Sequence, residues 1–394
     1  MSYAMNDSPS APAALHRCRE FVGRTTNWLY DHLRCLPRYK LLVLCEKLSH
    51  RDEFPELPTW HRNPATIPRR LWHRLAPHRL FPLDARRLRR LAPRVLHSHF
   101  GYDAVGDVNL TASLGVPWIV SFYGADAYEL GRQPEWRDKY GPMFQRARRV
   151  LALGPVMAAQ LAWLGCPSGK IVIHPLGVDV QTLPSRARVR RPGEPLRVLF
   201  AGTFREKKGL IYAVHGVAMA RRAGVPIELH LVGDEAGKPG DRETKQSVFA
   251  DIRRLGLDDI VRSHSFLPFH ALIELALRSH VFLAPSVTAA DGDAEGTPFL
   301  LQQMMATAMP VITTNHSDIP YVFGNLQHLL VSERDSRAIA YVLQGYAETP
   351  DRLAVDGMAF RSRICRAFDV HECASRLADV YDTAGSSVEP ATLA

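Results

Sequence analysis

Residues 196–223 read LRVLFAGTFREKKGLIYAVHGVAMARRA. The opening segment, 196–202, is mostly apolar on both faces, as a strand inside a parallel sheet is. A short loop with Arg205, Lys207 and Lys208 follows, and Gly209 opens a stretch of helical spacing that runs to Ala223. Working outward, the same strand-then-helix rhythm recurs. Candidate strands precede this segment at 40–45, 95–99, 118–122, 150–154 and 171–174. Others follow it at 227–232, 261–265, 281–285, 310–314 and 328–331, with a second clear helix over 299–308. Such alternation predicts doubly wound α/β sheets. Residues 184–195, PSRARVRRPGEP, are basic, Pro-rich and without periodicity, and read as a linker. The expected organisation is therefore two Rossmann-like domains, 15–185 and 195–365, facing a cleft at the carboxyl ends of their strands. Residues 1–14 and 384–394 read as disordered.

Bulk properties narrow the class. At 394 residues the chain is long enough for two domains. It is 46% hydrophobic and 23% charged, ordinary for a globular protein. No apolar run approaches the ~18 residues of a membrane span. The start, MSYAMNDSPSAPAA, has no secretory pattern. Six cysteines without a C-x-x-C pair argue against a zinc site or a disulfide framework, and fit a cytoplasmic protein. The net charge of +9 is concentrated between Arg69 and Arg94, which hold nine arginines and one acid, Asp84. Interleaved Trp72, Phe81 and leucines make this stretch suited to an anionic membrane surface. The plainer reading is a solvated basic face. No nucleic-acid motif accompanies it.

Three segments carry chemistry. In the loop after 196–202, Gly202 and Gly209 let backbone N–H groups approach an anion, a helix start adds partial positive charge, and the lysines add point charges. In DGDAEGTPFLLQQMMATAMPV, 291–311, Glu295 precedes a helix beginning near Pro298. Its carboxylate can accept hydrogen bonds from sugar hydroxyls, and the N–H groups of Gly296 and Thr297 are free. A capping carboxylate explains it equally well. Gln303 falls in the second turn. In the first half, LHSHFG at 96–101 and VSFYGAD at 120–126 each run from a strand into a glycine loop. His97 and His99 share one strand face, a metal pair by spacing, but no third ligand is evident and no metal is expected.

Six blocks in order now mark a resemblance. They are H-x-H-F-G at His97–Gly101, F-Y-G-x-D at Phe122–Asp126, L-G-C-P-x-x-K-I at Leu164–Ile171, H-P-x-G-V-D at His174–Asp179, E-K-K-G at Glu206–Gly209 and D-G-D-x-E-G-x-P at Asp291–Pro298. With these the chain resembles the family 4 glycosyltransferases of the GT-B fold, particularly those that build bacterial exopolysaccharides such as colanic acid. The resemblance implies a C-terminal helix, 366–383, that returns to the first domain. It implies retaining transfer of a hexose from a UDP- or GDP-sugar, without metal or further cofactor, to a lipid-linked or oligosaccharide acceptor at the inner membrane face.

By the same resemblance, the catalytic group is Glu295, Lys208 and Asp126. Glu295 contacts the donor sugar, Lys208 takes the family's diphosphate-binding lysine position, and Asp126 matches the aspartate of an H-G-x-D block. The donor site also takes in Gly202, Thr203, Arg205, Gly296, Thr297, Pro298 and Gln303. His99, Tyr123 and Gly124 line the acceptor side or cleft. Thr203 stands where the family usually has Arg, with Arg205 as the substitute charge. Tyr123 stands where many members have His, and Tyr321 where Glu is common. Gln303 replaces the second glutamate of E-x₇-E, so one amide oxygen accepts where two carboxylate oxygens would. These departures keep open a catalytically silent relative that serves as a scaffold subunit, and, more distantly, a sugar-nucleotide epimerase.

Overall fold

The computed structural model describes residues 11–23, 26, 28–50, 54, 57–61 and 82–385. The disorder expected at 1–10 and 386–394, and the basic stretch from 69 to 81, lie outside the described residues. The chain divides into two compact units, one of Met1–Gly177 with Val370–Ala394, the other of Val178–Asp369.

The first unit is built on β1 (Ala13–Phe21), β2 (Lys40–Leu48), β3 (Thr59–His61), β4 (Val95–His99), β5 (Trp118–Ser121), β6 (Arg149–Ala152) and β7 (Ile171–Ile173). They form one parallel sheet in the order β3-β2-β1-β4-β5-β6-β7. All five residues of β4 are buried, as a strand covered on both faces requires. The helix Val370–Gly385 belongs to this unit and buries Leu377, Ala378 and Tyr381 against Tyr39, Val95 and Ile119. The Tyr39 hydroxyl donates to Asp382 at 2.6 Å.

The second unit is built on β8 (Leu196–Ala201), β9 (Ile227–Val232), β10 (Val261–His264), β11 (Val281–Ala284) and β12 (Val311–Thr313), all parallel, in the order β10-β9-β8-β11-β12. One sheet face packs Val214 and Val217 of the helix Leu210–Arg222 with Ile339 and Leu343 of Ser336–Glu348. The other packs Met304 and Met305 of Phe299–Ala306 with Phe360 and Ile364 of Asp351–Ala367. In each unit the winding reverses direction once, between β1 and β4 and between β8 and β11. A doubly wound sheet opens a crevice for ligands beyond the carboxyl ends of the strands at such a point.

Five features differ from the sequence reading. Strand β1 begins at Ala13, inside the segment expected to be disordered, and β3 was not foreseen. The segment 328–331 is a 3₁₀ turn, Gly324–Leu329, followed by a single bridge from Thr314 to Val331. The boundary between the units falls at 177/178, because Val178 N–H donates to Phe368 O at 2.7 Å and the strand-like bridge Val178–Asp369 ties it to the second unit. The segment 184–195 is no free linker. Arg188, 2% exposed, donates to Ser279 O at 3.0 Å, Thr307 O at 3.0 Å and Ala276 O at 3.2 Å, all in the second unit.

Candidate functional site

At the β8–β11 crevice of the second unit two loops meet. Strand β8 ends at Ala201; Gly202 and Thr203 lead to Arg205 and a 3₁₀ turn, Glu206–Lys208. Gly209 follows with φ +65° and precedes the helix Leu210–Arg222. A Cβ there would lie 1.8 Å from Pro285 O, so glycine is required both by the backbone conformation and by the approach to the second loop. That second loop joins β11 to the helix Phe299–Ala306. Val287 N–H donates to Lys207 O at 2.9 Å, and Ala290 N–H to the Glu206 carboxylate at 3.0 Å. The two loops are therefore joined by one backbone pair and by the Glu206 carboxylate.

The charges then converge. Arg205 Nη2 lies 2.9 Å from Asp293 Oδ2 and Arg205 Nε lies 3.6 Å from Asp241 Oδ1. Lys207 Nζ lies 3.1 Å from Asp293 Oδ2 and 3.5 Å from Glu295 Oε1. Lys208 Nζ lies 3.0 Å from Glu295 Oε1. Burial on its own would push the Glu295 carboxyl up, but the Lys207 and Lys208 ammoniums outweigh it and hold the group at about 2. Burial would likewise push Lys207 down, and Glu295 and Asp293 reverse that. Glu295 is thus an anion at neutral pH, held by two lysines. Lys208 is the most open of the three cations, its side chain 27% exposed against 11% for Lys207 and 14% for Arg205.

The structure brings Arg205, Lys208 and Glu295 together as the sequence reading placed them. It gives Arg205 a further duty, since its guanidinium is engaged by Asp293 and Asp241 rather than offered alone in place of the arginine missing at Thr203. Pro298 is the residue before the helix, whose first residue is Phe299. Thr297 is 5% exposed and its hydroxyl has no hydrogen-bond partner among the described residues; Gln303 is 9% exposed. Sequence reasoning named Lys207 only as a loop charge, and missed Asp241, Asp293, His316 and Glu333. Asp293 stands in the quoted D-G-D-x-E-G block, and its spacing two residues before Glu295 was the available signal. For His316 and Glu333 none existed.

In the first unit the site residues sit at the β1–β4 crevice and on the loops after β4 and β5. Asp126, 1% exposed, accepts at Oδ2 from Gly101 N–H (2.9 Å), and at Oδ1 from the N–H groups of Tyr123 (3.0 Å), Gly124 (2.9 Å) and Ala127 (3.2 Å). Four backbone donors use this carboxylate to join the two loops. That geometry gives Asp126 the task of holding the two loops together, beside the catalytic role that the resemblance implies for it. Gly101 is obligatory beside it, because a Cβ would meet the Phe122 ring at 2.2 Å.

Next to Asp126 lies a hydrogen-bonded histidine cluster. Tyr123 OH meets His99 Nδ1 at 2.7 Å, and His99 Nε2 meets His16 Nδ1 at 3.0 Å. His97 bonds Ser121 Oγ at 2.7 Å and Tyr381 OH at 2.5 Å. Burial lowers all three histidines, His16 to about 3, so they are neutral imidazoles. His16 supplies the third ligand that spacing did not reveal, with ligand atoms within 4.8 Å of one another. The ring geometry favours hydrogen bonding over coordination. His16 and His99 are nearly coplanar, at 16°, with centroids 5.3 Å apart, so their nitrogens point head-on at each other. Both nitrogens of His97 already meet hydroxyls.

Comparison with known proteins agrees with this layout. The family described as Glycosyltransferase Family 4 matches residues 26–182, and that described as Glycosyl transferases group 1 matches residues 183–353. The putative colanic acid biosynthesis glycosyltransferase WcaL of Escherichia coli is 32% identical over 64% of this chain and 61% of its own length. The amylovoran biosynthesis glycosyltransferase AmsK of Erwinia amylovora is 28% identical over 72% of this chain and 69% of its own. Among solved structures, Anabaena HepE in complex with UDP superposes with a TM-score of 0.75 at 14% identity, covering 94% of this chain and 100% of that one. Sucrose-phosphate synthase from Thermosynechococcus elongatus gives 0.74 at 16% identity, covering 94% and 98%. With two parallel doubly wound sheets and family matches running from residue 26 to residue 353, the chain belongs to the family 4 glycosyltransferases and has the GT-B fold.

Proposed function

We propose that this chain moves a hexose, with retention of configuration, from a UDP- or GDP-sugar to a lipid-linked or oligosaccharide acceptor in cell-surface polysaccharide assembly. The observation that carries this reading is the contact of Lys208 Nζ with Glu295 Oε1, 3.0 Å, at the crevice of the second unit. A leaving diphosphate gains negative charge in the transition state, and a fixed ammonium stabilises it there. Lys208 is the cation open enough to be shared with such a phosphate. Glu295, kept ionised, accepts hydrogen bonds from hydroxyls of the sugar being transferred. Protein cations supply the charge, so no metal or other cofactor is required. WcaL and AmsK, named for exopolysaccharide biosynthesis, support the pathway class; HepE structures carrying UDP and UDP-glucose support the nucleotide.

Among the described residues no helix is long and apolar enough to cross a membrane. The helix Pro82–Leu91 exposes Arg86, Arg87 and Arg90, and this basic face is the surface proposed to meet anionic lipid. The test of the main reading is turnover. Lys208→Ala and Glu295→Ala are expected to lower transfer by about 100-fold or more with the fold intact, and EDTA is expected to leave the rate unchanged. Wild-type rates in both variants would reject the site. A fold-intact wild-type chain that turns over no nucleotide sugar would favour the scaffold reading instead.

A further inference from the structure

Three residues past β12, His316 is 2% exposed and holds the loop that carries Glu295. Its Nε2 lies 3.1 Å from Glu295 N. A backbone N–H can only donate, so Nε2 accepts and the ring proton is on Nδ1. Nδ1 in turn donates to Glu333 Oε1 at 2.5 Å. The second oxygen of Glu333 accepts from Thr288 N–H at 3.0 Å, and Arg334 donates to Thr288 O. Thr288 and Glu295 both lie in the loop between β11 and the helix Phe299–Ala306. A single imidazole–carboxylate pair therefore closes that loop from outside, while Glu206 and Lys207 hold its middle and its inner edge.

We infer that His316 and Glu333 are positioning residues for the reaction, fixing the peptide between Ala294 and Glu295 so that the Glu295 carboxylate meets Lys208. This rests on the donor-site reading of Glu295 given above. The physical reason is rotation. Glu295 carries one backbone N–H, and the orientation of that bond decides where its side chain leaves the chain. Lys207 Nζ donates to Ala294 O at 3.4 Å on the other side of the same peptide. With His316 on the N–H and Lys207 on the carbonyl, the peptide is held at both ends, and neither partner need touch substrate.

Two substitutions separate this role from plain packing. In His316→Gln the side-chain carbonyl reaches the place of Nε2 and still accepts from Glu295 N–H. In His316→Asn the shorter amide reaches only the place of Nδ1, keeping Glu333 and losing Glu295. The expected result is turnover within about threefold of wild type for His316→Gln and a fall of about tenfold in kcat for His316→Asn, the loss of one hydrogen bond. Affinity for UDP or GDP, carried by the loop after β8, stays unchanged in both. Hydrogen exchange gives a readout that needs no activity, since the Glu295 amide loses protection in His316→Asn and keeps it in His316→Gln. Equal turnover and equal protection in the two variants would overturn the inference, as would a matching loss of nucleotide affinity. If Glu295→Ala keeps wild-type turnover, the donor-site reading falls and takes this inference with it. If Glu295→Ala abolishes turnover while His316→Asn does not lower it, the inference alone falls.

Discussion

The two units reverse their winding at equivalent places, β1/β4 and β8/β11, yet fill those places with opposite chemistry. The second unit gathers Arg205, Lys207 and Lys208 with Asp241, Asp293 and Glu295, a set of buried and half-buried ions. The first gathers His16, His97, His99, Ser121, Tyr123 and Tyr381, all neutral and joined by hydrogen bonds. An ionic cluster suits a ligand that brings and gains charge, as a diphosphate does. A neutral network of hydroxyls and imidazoles suits sugar hydroxyls, which both donate and accept. On the proposed function, the same backbone architecture hosts two recognition chemistries, and the side chains at each crevice decide which.

Acid gives the largest test of this contrast. In the first unit burial lowers His16 and His32 to about 3, His174 to about 4, and His97 and His99 well below 6.5. The unfolded chain takes up protons that these folded histidines refuse. Their stability is whole above about 6.5 and drains as the pH falls from there toward 4 and 3. In the second unit burial lowers His230 and His280 in the same way, two imidazoles against five. Glu295, ordinarily near 4.5, is held at about 2 by its lysines, so its contribution to stability is whole above about 4.5 and drains only between there and 2. Hydrogen exchange followed on acidification is expected to open the first unit between about pH 6 and 4, with the second still protected. Opening of both units together would break the comparison.

A smaller effect is expected at Arg188. Its guanidinium is buried on carbonyl oxygens of the second unit, and burial lowers it to about 10. Arg188→Ala leaves those carbonyls unpaired and is expected to cost about 2–4 kcal/mol. The readout is a lower denaturant midpoint for the second unit with the first unchanged; a shift in the first unit would contradict the docking of 184–195. The smallest effect is expected from Tyr123→Phe. Loss of one hydroxyl on His99 costs about 1 kcal/mol in the first unit. Calorimetry is expected to find nucleotide affinity as in wild type, and a large drop in that affinity would show the two chemistries are not separable.

The strand-and-helix rhythm was readable because buried parallel strands are mostly apolar on both faces, and β5, β8 and β11 come close to that. Strand β1 hid because AALHRCREF carries Arg17, Arg19 and Glu20. Arg17 is nonetheless 8% exposed, paired with Glu46 and Asp107. Residues 184–195 misled for a related reason. A run of arginines reads as solvated unless its partners are known, and Arg188 finds them 88 to 119 residues away. Within the site, Lys208 and Glu295 were legible from local blocks, one on each side of the crevice. Asp126 was legible as a position, while the four N–H groups on its carboxylate come from two separate loops and only the fold reveals them. His316 and Glu333 reach Glu295 from beyond β12, and spacing cannot announce a contact made by the meeting of separate loops.

The central claim is that the ionic crevice of the second unit binds a nucleotide sugar by its diphosphate. Calorimetric titration of the wild type and of Lys208→Ala with UDP-, GDP- and their hexose conjugates tests it most directly. The account predicts saturable binding of at least one conjugate that weakens with salt, and at least a tenfold loss of that affinity in Lys208→Ala. Equal affinity in wild type and Lys208→Ala would contradict it, as would no binding of any conjugate by the wild type.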